Sequence, residues 1–260
     1  MKPYLRTLPR FAHTAHRGGA LVAPENTLAA FQQAVRKWRT DILELDVRPS
    51  REGHVMVIHD DTLDRTTNGR GPVSALTLRE LQALDAGWHM PGWRGQGVTI
   101  PTLEEVLRAF PDKHINIELK VGDAEFQDAF AALIRRRDAV ERVCIGHVDV
   151  ERAAELQTRL PQCAYWYPEE AVMLFVMSSR GGAELPREER FDLLSIPWEF
   201  GGTEVVDRKL VEDAHALGKA LHVWTVDERP MMEKLMDLGV DGILTDRPDL
   251  LRDVMSARSL

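Results

Sequence analysis

Short apolar runs, each followed by an amphipathic stretch, recur along the whole chain. The runs Ala12–His16, Ile42–Arg48, Ile115–Lys120, Arg142–Gly146, Cys163–Trp166, Leu193–Pro197, Ala220–Val226 and Gly242–Asp246 read as strands, with one further run, Val55–His59, beside the second. The stretches between them carry helix signals. Asn26 or Thr27 caps a segment running through Phe31 and Val35, and Thr102 caps Leu103–Phe110 with Glu105 completing a capping box. Thr203 precedes a helix with Val206, Leu210, Ala214 and Leu217 on its apolar side and Gly218 at its end; Asp227 and Gly239 bracket the next. Eight such alternations with short connections predict an α/β fold, a parallel sheet closed into a TIM (β/α)8 barrel, with an open doubly wound sheet as the alternative. A chain of 260 residues suits one such barrel. Residues 61–99, rich in Gly, Pro, Arg and Trp, break the alternation. They read as an insertion after the second strand region, beside the active-site face and too small for a core of its own.

Strand alternation sorts the charged positions. Leu43, Leu45 and Val47 fall on one face of the second strand and Glu44, Asp46 and Arg48 on the other; Ile115, Ile117 and Leu119 are separated in the same way from Asn116, Glu118 and Lys120. The apolar set belongs under the helices, so Glu44, Asp46 and Glu118 converge inside the barrel. Isolated buried carboxylates cost several kcal/mol each and protonate rather than stay charged. One divalent cation with oxygen ligands, Mg²⁺ or Ca²⁺, resolves that cost. The competing reading is a buried salt-bridge network, Glu118 with Arg48 or Asp46 with Lys120.

Composition narrows the partners. The 33 basic residues are outnumbered by 41 acidic ones, for a formal charge of −8, and no basic run is long enough to track a nucleic-acid backbone. A small anionic substrate remains compatible, because a bound cation reverses the local field. Two cysteines, Cys144 and Cys163, suit a reducing compartment. The first eleven residues lack the apolar core of a secretory signal, and no apolar run reaches membrane-spanning length, so the expected location is the cytoplasm without stable membrane insertion. The outer helices of a barrel can support a homodimer, although no self-complementary patch is evident.

Two histidines stand at strand ends, the face where barrel enzymes place their chemistry. His16 is followed by Arg17-Gly18-Gly19, where small residues let backbone N–H groups approach an anion, and His59 by Asp60-Asp61. His13, His54, His89, His114, His215 and His222 read as structural, and His147, ending the fourth strand, stays open. The runs His16-Arg17-Gly18-Gly19, Pro24-Glu25-Asn26-Thr27, Glu44-Leu45-Asp46-Val47 and His59-Asp60-Asp61-Thr62-Leu63-Asp64-Arg65 come in that order. Leu84-Asp85-Ala86-Gly87, Ile100-Pro101-Thr102-Leu103, Asn116-Ile117-Glu118-Leu119-Lys120, Val223-Trp224-Thr225 and Thr245-Asp246-Arg247-Pro248 follow. The ordered set resembles the glycerophosphodiester phosphodiesterase family over nearly the whole chain. Where that family commonly has a Ser-Phe pair after the fourth strand, this chain has Gly146-His147.

The resemblance implies a TIM barrel that hydrolyses glycerophosphodiesters to glycerol 3-phosphate and an alcohol, through a cyclic phosphate. It implies Glu44, Asp46 and Glu118 as metal ligands, His16 and His59 as general acid and base, and Arg17 and Lys120 as phosphate-binding residues. Trp224 would line the substrate pocket or, equally, plug the barrel. Three rivals remain. A lysophospholipase D, or a phospholipase-D-like enzyme stopping at the cyclic phosphate, would use an exposed apolar surface such as Trp88, Met90, Pro91 and Trp93. A silent phosphate-ligand binding protein predicts loss of a site residue. A metal-dependent sugar-phosphate isomerase explains the carboxylates but not the paired histidines.

Overall fold

The computed structural model describes residues 2–121 and 123–258. Eight parallel strands, β1 (Ala12–Ala15), β2 (Ile42–Pro49), β4 (His114–Leu119), β5 (Val143–Gly146), β6 (Ala164–Tyr165), β7 (Leu193–Pro197), β10 (Ala220–Trp224) and β11 (Gly242–Thr245), form one sheet. Its spatial order is β6-β5-β4-β2-β1-β11-β10-β7, and a Trp166–Leu193 bridge joins the two end strands and closes the barrel. Main-chain bonds Asp192 N–H to Tyr165 O, 2.7 Å, and Tyr167 N–H to Leu193 O, 3.0 Å, complete the seam. The barrel expectation holds, and the open-sheet alternative falls. Three short strands lie outside it: β3 (Val55–Val57) pairs antiparallel with β2, and β8 (Glu199–Phe200) pairs with β9 (Thr203–Glu204).

Helices α2 (Leu28–Trp38), α4 (Leu103–Ala109), α5 (Ala124–Arg136), α6 (Val150–Arg159), α7 (Glu169–Gly181), α8 (Arg208–Ala216), α9 (Arg229–Leu238) and α10 (Pro248–Ala257) make the outer ring. Leu43, Leu45, Val47, Ile115, Ile117 and Leu119 all lie in the large core between strands and ring, as alternation requires. The lower barrel interior is a separate apolar layer that includes Ala12, Ile42, Cys144 and Leu193, closed by Tyr4 from the short N-terminal helix α1 (Pro3–Arg6). Tyr4 O–H donates to Asn116 Oδ1 at 2.5 Å, so the buried hydroxyl and the amide oxygen are paired, whereas Asn116 Nδ2 has no partner among the described residues. Cys144 and Cys163 are both free and buried.

Several local expectations change. Thr27 caps α2, whereas Asn26 reaches into the site; the Thr102–Glu105 capping box is present. The helix that Thr203 precedes begins only at Arg208, capped by Asp207, because residues 203–204 are taken up by β9; Val206 therefore lies outside it. Residue Glu228 occupies the N-cap of α9, and Asp227 instead accepts from Thr245 O–H and Asp246 N–H. The insertion contains α3 (Leu78–Gln82) and does have a small core. Leu63, Val73, Leu81, Ala86 and Val98 pack with Met56, Ile58 and Ile100 from its base. Trp93 packs against that cluster, whereas Trp88, 36% exposed, lies under the Arg94 guanidinium.

Candidate active site

Every predicted site residue lies at the C-terminal end of the barrel strands. The turn His16–Gly18 follows β1 directly, and Arg17 adopts a left-handed conformation there (φ 50°). Its N–H donates to Glu44 Oε2 at 3.0 Å, and Gly19 N–H to His16 O at 2.8 Å. Two N–H groups of the expected anion cradle, those of Arg17 and Gly19, are thus taken up within the protein.

Glu44, Asp46 and Glu118 come together. Each offers an oxygen, and those oxygens lie within 4.8 Å of one another. Register explains the convergence, since Asp46 on β2 is paired with Glu118 on β4. Asp46 is almost fully buried, yet Lys120 and Arg17 outweigh the effect of burial and hold its carboxyl below the usual range. Lys120 Nζ is 3.1 Å from Asp46 and 2.8 Å from Glu118; Arg17 Nε is 3.2 Å from Asp46, and Asn26 Nδ2 donates to Asp46 at 2.9 Å. The Asp46–Lys120 pair of the salt-bridge reading is therefore real. The Glu118–Arg48 pair is not, because Arg48 Nε donates to His59 O at 2.7 Å. At Glu44 the charges of His16 and Arg17 do not outweigh burial. Burial, then repulsion from Asp46, push its carboxyl up to about 7. Three hard oxygen donors at this spacing fit one divalent cation with ligand distances of about 2.0–2.6 Å, and such an ion would relieve the Glu44–Asp46 repulsion.

Both histidines are held through Nδ1 by a carboxylate, which leaves Nε2 for a ligand. His16 Nδ1–H donates to Asp246 Oδ1 at 2.8 Å, with Nε2 3.9 Å from Glu44. Burial lowers the His16 pKa, but Glu44 and then Asp246 outweigh it and raise the value. His59 Nδ1–H donates to Asp60 Oδ1 at 2.6 Å. Arg65, from the insertion, bonds Asp60 at 2.7 Å and Glu25 at 2.7 Å, and Glu25 also meets Arg17 at 3.2 Å. This chain of ion pairs ties the two histidine loops together, and Arg65 holds the Asp60 carboxyl far below its ordinary range.

Residues 16–250 match the model of the glycerophosphoryl diester phosphodiesterase family. The chain belongs to that family. A glycerophosphodiester phosphodiesterase of Caldanaerobacter subterraneus subsp. tengcongensis is 35% identical over 250 residues, 91% of this chain and 94% of that one. A human protein named lysophospholipase D GDPD1 is 28% identical, over 94% of this chain and 86% of that one. An Oleispira antarctica phosphodiesterase, solved with its product sn-glycerol-3-phosphate, superposes with a TM-score of 0.74 at 26% identity, covering 97% of this chain and 99% of the other.

The family member's cavity, about 590 Å³, takes in His16, Arg17, Glu44, His59, Glu118 and Lys120 at its floor. Trp224 is on its wall and 41% exposed, so it is no barrel plug. Where the chain departs from the family pattern, Gly146 is paired with Glu118 in the sheet, and a Cβ placed there would lie 1.5 Å from the Trp166 ring. The missing side chain lets the indole enter the barrel mouth. His147, buried beside it, accepts from Asp149 N–H through Nδ1 at 2.9 Å; burial lowers its pKa. None of the four apolar insertion residues named above lines the cavity; the apolar wall comes from α7 and β8–β9 instead. Asp246, Asp60 and Glu25 carried no assigned role in the sequence, and Asn26 only that of a helix cap, although each stands inside one of the family-like runs.

Proposed function

We propose that this chain is a metal-dependent glycerophosphodiester phosphodiesterase with His16 and His59 as the proton-transfer pair. What supports this most directly is the convergence, in one cavity, of two carboxylate-held histidines on a three-carboxylate cluster. A divalent cation, Mg²⁺ or Ca²⁺, held by Glu44, Asp46 and Glu118 would offset the charge that builds on the phosphoryl oxygens. Arg17 and Lys120 supply the fixed positive charges for the same oxygens. One histidine Nε2 accepts the proton of the substrate's glycerol 2-hydroxyl as that oxygen attacks phosphorus. The other donates to the departing alcohol oxygen, giving a cyclic phosphate. Water then opens the ring with the two roles reversed, so the net reaction adds water across one P–O bond and yields glycerol 3-phosphate and an alcohol. Attack from within the substrate gains from a high effective molarity. Trp224 forms part of the wall against which the substrate's organic groups pack.

The test is release of glycerol 3-phosphate from glycerophosphocholine by the wild-type protein, His16→Ala and His59→Ala, with circular dichroism confirming the fold of each. Loss of turnover by at least two orders of magnitude in both variants is expected. Retention of more than a tenth of wild-type kcat by either would remove that histidine from the chemistry.

A further inference from the structure

Two buried polar side-chain atoms on cavity-lining residues have no hydrogen-bond partner among the described residues, Arg17 Nε and His147 Nε2. Arg17 Nε lies 3.2 Å from Asp46 and takes part in that ion pair. His147 Nε2 is left as a buried group that only a ligand or water can satisfy, and such groups are rare in folded proteins. The imidazole around it is fixed. Nδ1 accepts from Asp149 N–H at 2.9 Å in the turn between β5 and α6, so the ring proton sits on Nε2 and that atom is a donor. Asp149 is itself held as the cap of α6, accepting from Glu151 N–H and Arg152 N–H. Burial lowers the His147 pKa, which keeps the ring neutral near pH 7.

The order of strands round the barrel mouth decides what this donor meets. Strand β1 leads to His16, β2 carries Glu44 and Asp46, β4 carries Glu118 with Lys120 just past its end, and β5 leads to His147. His147 therefore extends the polar row one strand beyond Lys120. Strand β6 comes next and leads to Trp166, after which Pro168, Val172 and Val176 continue the cavity wall. The ring stands at the border between the charged floor and the apolar wall. Arg17 and Lys120 already offer full positive charges to phosphoryl oxygens, which charged donors bind more strongly than neutral ones. A neutral donor one strand further round matches an uncharged oxygen a few bonds from phosphorus. The pair that departs from the family pattern builds this corner: Gly146 admits the Trp166 ring, and His147 supplies the donor.

We propose that His147 is a specificity-determining residue, whose Nε2–H donates to an uncharged oxygen, a hydroxyl or an ether, on the organic part of the phosphodiester. This rests on the proposed phosphodiesterase activity. Substrates with such an oxygen near the phosphate are favoured over those with a methyl or methylene group in its place. A site that donates to a substrate oxygen rejects the analogue lacking it, because its own buried donor is then left unpaired. The oxygen belongs either to the glycerol, as its 1-hydroxyl, or to the leaving alcohol; the hydrogen bond is the same in both cases, and the two are told apart by substrate.

The test measures kcat/KM within two pairs of substrates. One pair is the 2-methoxyethyl and butyl esters of glycerol 3-phosphate, an ether oxygen against a methylene in the leaving alcohol. The other is the butyl ester and its counterpart with a methyl group in place of the glycerol 1-hydroxyl. In at least one pair the wild-type protein prefers the oxygen-bearing substrate by roughly tenfold, the scale of one buried donor left unpaired, and His147→Phe brings that ratio to within about twofold of one. His147→Gln, which keeps a donor, retains the preference. A residue with only a structural role would change both members of a pair alike and leave the ratio where it was. A ratio unmoved by His147→Phe in both pairs, or no preference in either pair for the wild type, overturns the proposal, while cleavage of the butyl ester leaves the phosphodiesterase reading standing. Should His147→Phe fail to fold, nitrogen-15 NMR of the histidine-labelled wild-type protein decides: a proton on Nε2 is expected, and a proton on Nδ1 overturns the donor equally. No turnover of any of these esters or of glycerophosphocholine brings down both readings.

Discussion

Replacing Asp246 by Asn tests whether His16 works as a carboxylate-held imidazole. In the structure His16 Nδ1–H donates to Asp246 Oδ1 at 2.8 Å, and Asp246 is itself fixed by its own N–H bonding to Asp227 at 2.8 Å. The variant keeps the backbone bond and the side-chain volume but removes a negative charge 2.8 Å from the ring. A hydrogen bond to a charged group contributes about 1.5–3 kcal/mol, against about 1 for a neutral one. Loss of the difference, together with loosening of the ring, corresponds to a fall in kcat of roughly tenfold to a hundredfold, at about 1.4 kcal/mol per decade. The pH profile carries a second, independent sign. Burial lowers the His16 pKa, while Glu44 and then Asp246 raise it; removing one of the raising charges moves the limb of the profile that reports His16 to lower pH. The assay is the coupled release of glycerol 3-phosphate from glycerophosphocholine between pH 5 and 9, with urea unfolding as the check on stability. A variant within twofold of wild-type kcat and with an unmoved profile would refute the positioning role of Asp246.

Three further outcomes follow from the same contacts. Arg65→Ala cuts the ion-pair link between Glu25 and Asp60; because Arg65 is half exposed, kcat should drop only about three- to tenfold, and an unchanged kcat would assign that link to stability alone. Gly146→Ala puts a methyl group into the Trp166 ring, so it should cost about 1–3 kcal/mol in urea unfolding, with the cost absent in a Trp166→Ala background; equal costs in both backgrounds would contradict the close packing. His13 and His222 are fully buried, and burial lowers each to about 4 from an unfolded value near 6.5. The unfolded chain therefore binds protons first as pH falls, and these two residues withdraw stability progressively from pH 6.5 down to about 4, each by up to about 3 kcal/mol. Proton NMR should find both rings still neutral at pH 5, and a midpoint near 6.5 for either would contradict the burial.

The sequence exposed the parts of the site that depend on local periodicity. Alternation along 43–47 and 115–119 placed the carboxylates, and the barrel's strand-end rule placed His16; His59 follows β3, which runs antiparallel outside the barrel, and its pairing with His16 rested on the family resemblance. What it missed depends on closure. Asp246 reaches His16, 230 residues away, only because β1 pairs with β11, and nothing in the spacing of either run foretells that. The β8–β9 hairpin was read as the approach to the helix that Thr203 precedes, since two-residue strands give no periodic signal. The apolar surface was sought at Trp88, Met90, Pro91 and Trp93, none of which lines the cavity. A truer signal lay in the unbroken run from Ala171 to Met177, which has no polar side to give to solvent.

The claim at the centre is that Glu44, Asp46 and Glu118 hold an ion required for phosphodiester hydrolysis between His16 and His59. Phosphorus NMR of glycerophosphocholine with the protein stripped of metal, before and after addition of Mg²⁺ or Ca²⁺, tests it in one tube. The substrate resonance should persist in the stripped protein and convert to that of glycerol 3-phosphate once the ion is supplied. Full turnover in protein verified free of metal, or no conversion with either ion, would contradict it.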